Sequence, residues 1–119
     1  MRVTESTPNE HDHVIAYTSQ MAHVVSNAYV KSPTLDKRYG FSAGSFKDLT
    51  RVAKLNEYMW TDLFLANKEP LLEEIDIFIE HMQEFRNTLE KEDKERLIEL
   101  LGEGRRLKEE DEEKDRCQK

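Results

Sequence analysis

The sequence has little material for covalent cross-links, structural metal sites or membrane spans. It contains one cysteine, three prolines and four glycines in 119 residues. Cys117 has no second cysteine to pair with, which excludes an internal disulfide, and it cannot anchor a zinc site alone. No stretch approaches the ~20 apolar residues that span a bilayer, and residues 1–10 lack an apolar signal region. We therefore expect a cytoplasmic protein without a membrane partner.

The composition excludes most complete enzymes and disfavours nucleic acid as a partner. Charged residues make up 36% of the chain and hydrophobic residues 37%, with a formal net charge of −7. An average domain has roughly 45–50% apolar and about 25% charged residues, so this chain is poor in core material. Its negative charge repels phosphate backbones. Residues 1–119 suit a single domain, and apolar faces shared with a second subunit would compensate for a small core.

Motifs for nucleotide or metal binding are missing. The chain has no phosphate-binding loop and no dinucleotide fingerprint. His11, Asp12 and His13 are adjacent, but neighbouring helical residues point about 100° apart and cannot all face one ion, so we expect no metal site. The GEG segment at residues 102–104 follows leucines of helical type, which indicates a local helix break rather than a nucleotide loop.

The N-terminal third predicts one long helix. Thr7, Pro8 and Glu10 form a capping box with proline in the first turn, which predicts the helix start. Proline disfavours helical geometry in the residue before it, so Ser32-Pro33 predicts an end near Lys31. Apolar residues spaced by 3 and 4 predict a packing face: Val14, Tyr17, Met21, Val24 and Ala28. Small or polar residues on the opposite side allow another backbone or a ligand to approach: Asp12, Ala16, Ser19, His23, Ser26 and Asn27.

The middle of the chain predicts a loop followed by a short helix. Residues 32–45 are rich in turn formers, and we expect the aromatic residues Tyr39 and Phe41 to anchor this loop. Ser45 is expected to cap a helix that ends near Lys54.

A third helix and a long apolar seam follow. Asn56 is expected to cap the third helix. Pro70 leaves two interpretations open: Asn67 caps a fresh helix with proline in its first turn, or one long helix kinks. A second seam with helical spacing comes next: Leu71, Ile75, Phe78, Met82, Phe85 and Leu89. Residues 91–119 are expected to form a charged C-terminal helix or a fraying tail. With no strand-period segment, the chain predicts an all-α helical bundle with long seamed helices.

Two groups of residues are candidates for a ligand site. Ser19 and His23 lie one helical turn apart on the small-residue face, where both can point at one object, although a histidine satisfied within a helix contact has the same spacing. Gly44 opens a helix start where free N–H groups favour negative charge.

Three cations follow Gly44 at helical spacing: Lys47, Arg51 and Lys54. In an acidic protein this pattern indicates a seat for a small anion, because the arginine fork donates two parallel hydrogen bonds to a carboxylate. A solvated face in which Asp48 pairs with Arg51 explains the pattern equally well.

Together these stretches resemble the C-terminal helical dimerisation domain of prephenate dehydrogenase. The similarity begins with TPNEHDHVIAYTSQMAHVVSNAYV at residues 7–30, continues with GFSAGSFKDLTRVA at 40–53, and includes MWTDLFLANKEPLL at 59–72. It covers about residues 7–90. The resemblance implies a fold like the C-terminal helical domain of 6-phosphogluconate dehydrogenase, with long helices intertwined as a homodimer.

The resemblance also implies roles for individual residues. In this family prephenate is oxidised and decarboxylated to 4-hydroxyphenylpyruvate, and hydride passes to NAD or NADP. Arg51 would bind a prephenate carboxylate, and His23 with Ser19 would line the substrate pocket. Gly44 and Trp60 match positions near the pocket and the subunit interface. A supporting ionic network around Arg51 would comprise Lys47 and Asp48.

The chain also departs from the complete family pattern. It lacks the N-terminal nucleotide-binding domain with its catalytic histidine and serine, so no catalytic residue is expected here and the chain alone should be inactive. It is therefore expected to be either a piece of a longer protein or a truncated gene product. The regulatory ACT domain is missing too, which leaves tyrosine as a candidate competitor in the substrate pocket. The alternative function is a stand-alone helical dimer module with a structural or metabolite-sensing role.

Overall fold

A computed structural model describes residues 8–38, 40–41 and 43–117, and every regular element in these ranges is helical. The contacts divide this part of the chain into two units, residues 8–75 and 76–117, and each is described by itself. The predicted cap Thr7 and the predicted loop anchor Tyr39 lie outside the described residues. None of the described helices is both long and apolar enough to cross a membrane.

The predicted N-terminal helix is present, with an irregular turn in its middle. It consists of α1 (Pro8–Ile15), a π-helical turn (Ala16–Gln20) and α2 (Met21–Tyr29). Ser32 then has extended backbone geometry, and its hydroxyl accepts a hydrogen bond from the next turn at 3.2 Å. The backbone therefore leaves the helix at Ser32-Pro33, as the proline predicts.

The π-helical turn changes which face of this helix is buried. A π turn holds an extra residue, so it rotates the face downstream by about 100° relative to a continuous α-helix. The predicted packing face is consequently split: Met21 is 7% exposed, whereas Val14 and Tyr17 are 55% and 68% exposed. On the opposite side Ala16 and Ser26 are fully buried. Within the single chain the predicted packing face is therefore only partly buried, and whether a second copy covers Val14 and Tyr17 stays a prediction. The close approach predicted for the small-residue face is seen at Ala16 and Ser26.

The second helical segment begins two residues earlier than predicted. Helix α3 (Gly44–Thr50) has Ala43 at its N-cap and no side-chain cap, so the prediction that Ser45 caps it was wrong. A 3-10 turn (Arg51–Ala53) follows, and the segment ends at Lys54, as predicted. Phe41 is 86% exposed and does not anchor the loop within this chain, contrary to prediction.

Two separate helices lie on either side of Asn67, so Pro70 does not kink one long helix. Helix α4 (Glu57–Ala66) is capped by Asn56, whose side-chain oxygen accepts two backbone N–H groups at 3.0 Å, as predicted. Helix α5 (Lys68–Glu90) is a fresh helix with Pro70 in its first turn. Asn67 precedes α5, and its backbone carbonyl accepts the Leu71 N–H at 3.1 Å. The hydrogen bonds that its side chain makes among the described residues use the amide nitrogen, which donates to Asp12 and Gln20.

The core of residues 8–75 is small and lies where three helices meet. Ala16, Met21 and Leu71 are buried together. Four partly buried apolar side chains pack against them: Val24, Val25, Phe64 and Ile75. Leu71 thus packs the start of α5 against the π turn and α2. Phe64 packs on the same cluster, which holds α4 against these elements.

Ser26 offers a test of packing in this region. Its hydroxyl oxygen is buried and has no hydrogen-bond partner among the described residues. A buried unsatisfied polar group costs free energy, so Ser26→Ala is expected to raise the free energy of unfolding by about 1 kcal/mol in urea denaturation. Ser45→Ala, at an exposed position, is the matched control. A clear loss of stability in Ser26→Ala would show that the hydroxyl has a partner.

His13 makes the stability of this unit depend on pH. Its Nδ1 lies 2.9 Å from the Asn9 carbonyl oxygen and its Nε2 lies 2.5 Å from a Glu73 carboxylate oxygen. Only the imidazolium donates at both nitrogens, so these acceptors raise the pKa of His13 above 6.5, the Asn9 carbonyl first and Glu73 second.

A raised pKa in the folded state fixes the sign of the pH effect. The contribution of His13 is fully present below about pH 6.5 and is lost as pH rises through the folded-state pKa. The difference in melting temperature between the native sequence and His13→Gln is therefore expected to shrink from pH 6 towards alkaline pH, to about zero. A difference that grows with pH would contradict the assignment.

Residues 76–117 contain the C-terminal part of α5 and all of α6 (Lys94–Cys117). Of the two alternatives for residues 91–119, the charged C-terminal helix is confirmed as far as Cys117, and the prediction that the GEG segment breaks the helix was wrong. Helix α6 is capped by Asp93, whose carboxylate accepts the Arg96 N–H at 3.1 Å. Ion pairs one turn apart, such as Arg105 with Glu109, support its exposed surface.

Three of the six residues in the apolar seam on α5 are exposed within a single chain. Phe78, Met82 and Leu89 are 42%, 54% and 59% exposed. A regular row of large apolar side chains open to water indicates a surface that another protein covers.

Candidate functional site

The candidate site is built around a stacked pair of rings that α2 and α4 bring together. The His23 imidazole lies on the Trp60 indole with ring centroids 3.9 Å apart and an angle of 26° between the planes. Phe64, one turn further along α4, tilts against Trp60 at 5.6 Å. The Asn56 cap fixes the first turn of α4 and thereby the position of Trp60.

Ser19 determines which nitrogen of His23 carries the proton. The Nδ1 atom of His23 lies 2.9 Å from the Ser19 backbone carbonyl oxygen. A carbonyl oxygen can only accept, so Nδ1 carries the proton and Nε2 is left with a lone pair in the neutral form. Ser19 thus contributes its backbone to orienting His23, and the Nε2 atom has no partner among the described residues.

The stacked rings line a cavity of about 320 Å³. This volume suits a single-ring metabolite. The lining is partly apolar, with one lysine and one glutamate: His23, Val24, Asn27, Ala28, Lys31, Leu55, Glu57, Trp60, Thr61 and Phe64. Such a mixture can hold a ring against aromatic side chains while polar groups bind its substituents.

The other predicted site residues lie on a neighbouring segment and do not line this cavity. Gly44, Lys47, Asp48 and Arg51 are all exposed. Helix α3 ends at Thr50, so the predicted row of three cations does not continue along one α-helix. Within the described ranges no carboxylate pairs with Arg51, and the ionic network of Lys47 and Asp48 stays a prediction.

Asn27 connects this segment to the helix that carries His23. Its side-chain nitrogen donates to the Ala53 carbonyl oxygen at 3.2 Å, and the Arg51–Ala53 turn packs on α2. The bond therefore fixes the turn in which Arg51 lies. Asn27 was predicted on the face that a ligand can approach, four residues from His23. Lys31, which follows the end of α2, was missed as a lining residue.

The described residues form no metal-binding group that could be a second candidate site. No three histidine, cysteine, aspartate or glutamate side chains come together there as a metal-binding group. His81 is exposed and pairs with Glu84 at 3.0 Å, as expected for a residue on a helix surface.

Comparisons with known proteins match most of the chain. Residues 7–103 match the family described as prephenate dehydrogenase, dimerization domain. A cyclohexadienyl dehydrogenase of Zymomonas mobilis is 34% identical over 115 residues, and a prephenate dehydrogenase of Bacillus subtilis is 36% identical over 101. These matches cover 90% and 79% of this chain but only 39% and 27% of those proteins.

A solved structure also matches this chain. The crystal structure of prephenate dehydrogenase from A. aeolicus in complex with hydroxyphenyl propionate and NAD+ matches with a TM-score of 0.77 and 32% identity. The match covers 92% of this chain and 40% of that one. The chain thus spans well under half of the proteins it matches. It belongs to the prephenate dehydrogenase dimerization domain family.

Proposed function

We propose that this chain is the dimerisation and substrate-binding part of a prephenate dehydrogenase. The complete enzyme would oxidise and decarboxylate prephenate to 4-hydroxyphenylpyruvate, with NAD or NADP accepting the hydride, in tyrosine biosynthesis. The observation that carries the proposal is the stack of His23 on Trp60 beside a ring-sized cavity, in a chain of this family.

The chemistry of prephenate suits the residues on this part of the surface. Prephenate has a six-membered ring and two carboxylates. The Trp60 and Phe64 rings provide an apolar surface for its ring, and the free Nε2 of His23 provides a polar contact. Arg51, exposed and without a carboxylate partner in the described residues, would bind a prephenate carboxylate. Ser19 and Gly44 would complete the substrate contacts.

The nicotinamide cofactor is assigned to a different domain. No glycine-rich dinucleotide fingerprint occurs in the 119 residues, so the residues present do not fit this cofactor. Hydride transfer needs substrate and cofactor held together, so the chain alone is expected to be inactive. Its role is to bind and orient prephenate next to a nucleotide-binding domain.

The exposed apolar seam of α5 supports a homodimer. Phe78, Met82 and Leu89 are 42%, 54% and 59% exposed in the single chain, and a second copy would bury them. A dimer also compensates for the small core predicted from composition.

Calorimetric titration of this chain with prephenate and with 4-hydroxyphenylpyruvate tests the proposal, with sedimentation to measure the oligomer. Binding of either ligand by a dimer is the expected result. If no binding appears, the titration is repeated after joining the nucleotide-binding domain of a relative. Continued absence of binding and turnover would reject the proposal in favour of a structural dimer module.

A further inference from the structure

Two amide side chains join the helices that carry the stacked rings. The Asn67 side-chain nitrogen donates to the Gln20 side-chain oxygen at 2.7 Å and to the Asp12 backbone carbonyl oxygen at 3.0 Å. The Gln20 side-chain nitrogen donates in turn to the Leu63 backbone carbonyl oxygen at 3.2 Å. We call Gln20 and Asn67 the amide relay.

The chemistry at each end of the relay dictates its polarity. Both terminal acceptors, the carbonyls of Asp12 and Leu63, can only accept hydrogen bonds. Asn67 must therefore present its nitrogen, which obliges Gln20 to present its oxygen to Asn67 and its nitrogen to Leu63. A carboxylate at either relay position would place one acceptor against another. Only amides satisfy every contact.

The relay replaces helix hydrogen bonds that the backbone does not make. At the end of α4, the Asn67 N–H bonds to the Phe64 carbonyl, so Leu63 loses the regular partner four residues ahead. Gln20 supplies a substitute donor from the π turn. Because Gln20 is only 5% exposed, its bonds are shielded from water, and losing them would leave buried polar groups unsatisfied.

The relay lies one helical turn from the ring stack on both helices. His23 follows Gln20 by three residues, and Trp60 precedes Leu63 by three residues, so each ring shares a helix face with a relay contact. A bond between Gln20 and Leu63 thus fixes the register of α2 against α4 near the point where His23 meets Trp60.

We infer that Gln20 and Asn67 are positioning residues for the substrate pocket, which hold His23 against Trp60 from behind the cavity. Neither side chain lines the cavity, so the relay acts through the rings and not through ligand contact. The part of this inference that concerns prephenate affinity rests on the proposed function. The part that concerns the ring stack does not.

Tryptophan fluorescence tests the relay directly, because Trp60 is the only tryptophan. The variants Gln20→Glu and Asn67→Asp keep the side-chain shapes and remove the donors. Asn87→Asp, at an exposed position in residues 76–117, is the matched control, and His23→Leu supplies the emission of unstacked Trp60. Emission is measured well below the melting temperature, where circular dichroism shows full helicity. Gln20→Met and Asn67→Ala serve in place of either charged variant that does not fold.

The relay variants are expected to shift the Trp60 emission towards that of His23→Leu and to lower prephenate affinity by about tenfold or more, since small displacements of positioned groups have large effects. Adding Gln20→Glu or Asn67→Asp to the His23→Leu variant should leave the Trp60 emission of that variant unchanged. Folded relay variants with native emission would overturn the inference. Altered emission would support the relay even if the native sequence bound no prephenate, and absence of binding and turnover that persists after the nucleotide-binding domain is joined would reject the proposed function alone. Altered emission with native prephenate affinity would overturn the positioning role.

Discussion

Arg51→Ala is expected to weaken prephenate binding by about 1.5–3 kcal/mol, which is roughly ten- to more than a hundredfold in affinity. The guanidinium is exposed and has no carboxylate within 4.0 Å among the described residues, so a ligand carboxylate would be its ionic partner. Removing the charge then removes a paired hydrogen bond and leaves one prephenate carboxylate without a counter-charge. Calorimetry of the chain, or of the complete enzyme if the pocket needs its second domain, measures the loss.

Lys54→Ala is the matched control for this prediction. Lys54 follows the same 3-10 turn, is exposed and has equal charge, but its backbone is extended, so it does not continue the turn that holds Arg51. A general electrostatic attraction for an anion would make both substitutions similar in effect. Equal losses, or no loss with Arg51→Ala, would reject a specific carboxylate contact at Arg51.

The start and end signals of helices were predictable because they depend on a few adjacent residues. Pro33 ends the N-terminal helix and Asn56 begins α4, each through local backbone geometry that a sequence reveals. The tail was less predictable. Helix α6 continues through Gly102 and Gly104 because strong helix formers and ion pairs one turn apart surround the two glycines.

The π turn could not be predicted from periodicity. The spacing of Val14, Tyr17 and Met21 fits an α-helix, and only the structure shows the extra residue in the turn Ala16–Gln20. Gln20, the last residue of the turn, makes contacts that are distant in sequence, with Leu63 and Asn67. Tertiary contacts of this kind override a local pattern.

The candidate site was likewise predictable only in part from the sequence. The spacing of Ser19 and His23 predicted one shared surface, and the structure joins them through a backbone carbonyl. The stack on Trp60 required two helices that are 37 residues apart in the chain, which spacing alone cannot bring together. Arg51 was selected by its charge pattern and by resemblance, and its role stays a prediction.

Met82→Asp is expected to convert the proposed dimer to a monomer, with a dimer dissociation constant raised about a hundredfold or more. Met82 is 54% exposed at the centre of the α5 seam, between Phe78 and Leu89. In a symmetric dimer each substitution buries two unpaired carboxylates, a cost that far exceeds the loss of one apolar contact. Sedimentation over a range of concentrations measures the change.

Gln83→Asp is the matched control, because Gln83 is exposed and points about 100° away from Met82 on the same helix. Both variants should keep native helicity by circular dichroism, since Met82 is half exposed in the single chain and its replacement leaves no cavity there. A dimer that Met82→Asp leaves intact would place the subunit interface elsewhere, and the exposed seam would need a different partner. A monomer with native helicity would show that a second copy covers the apolar seam on α5.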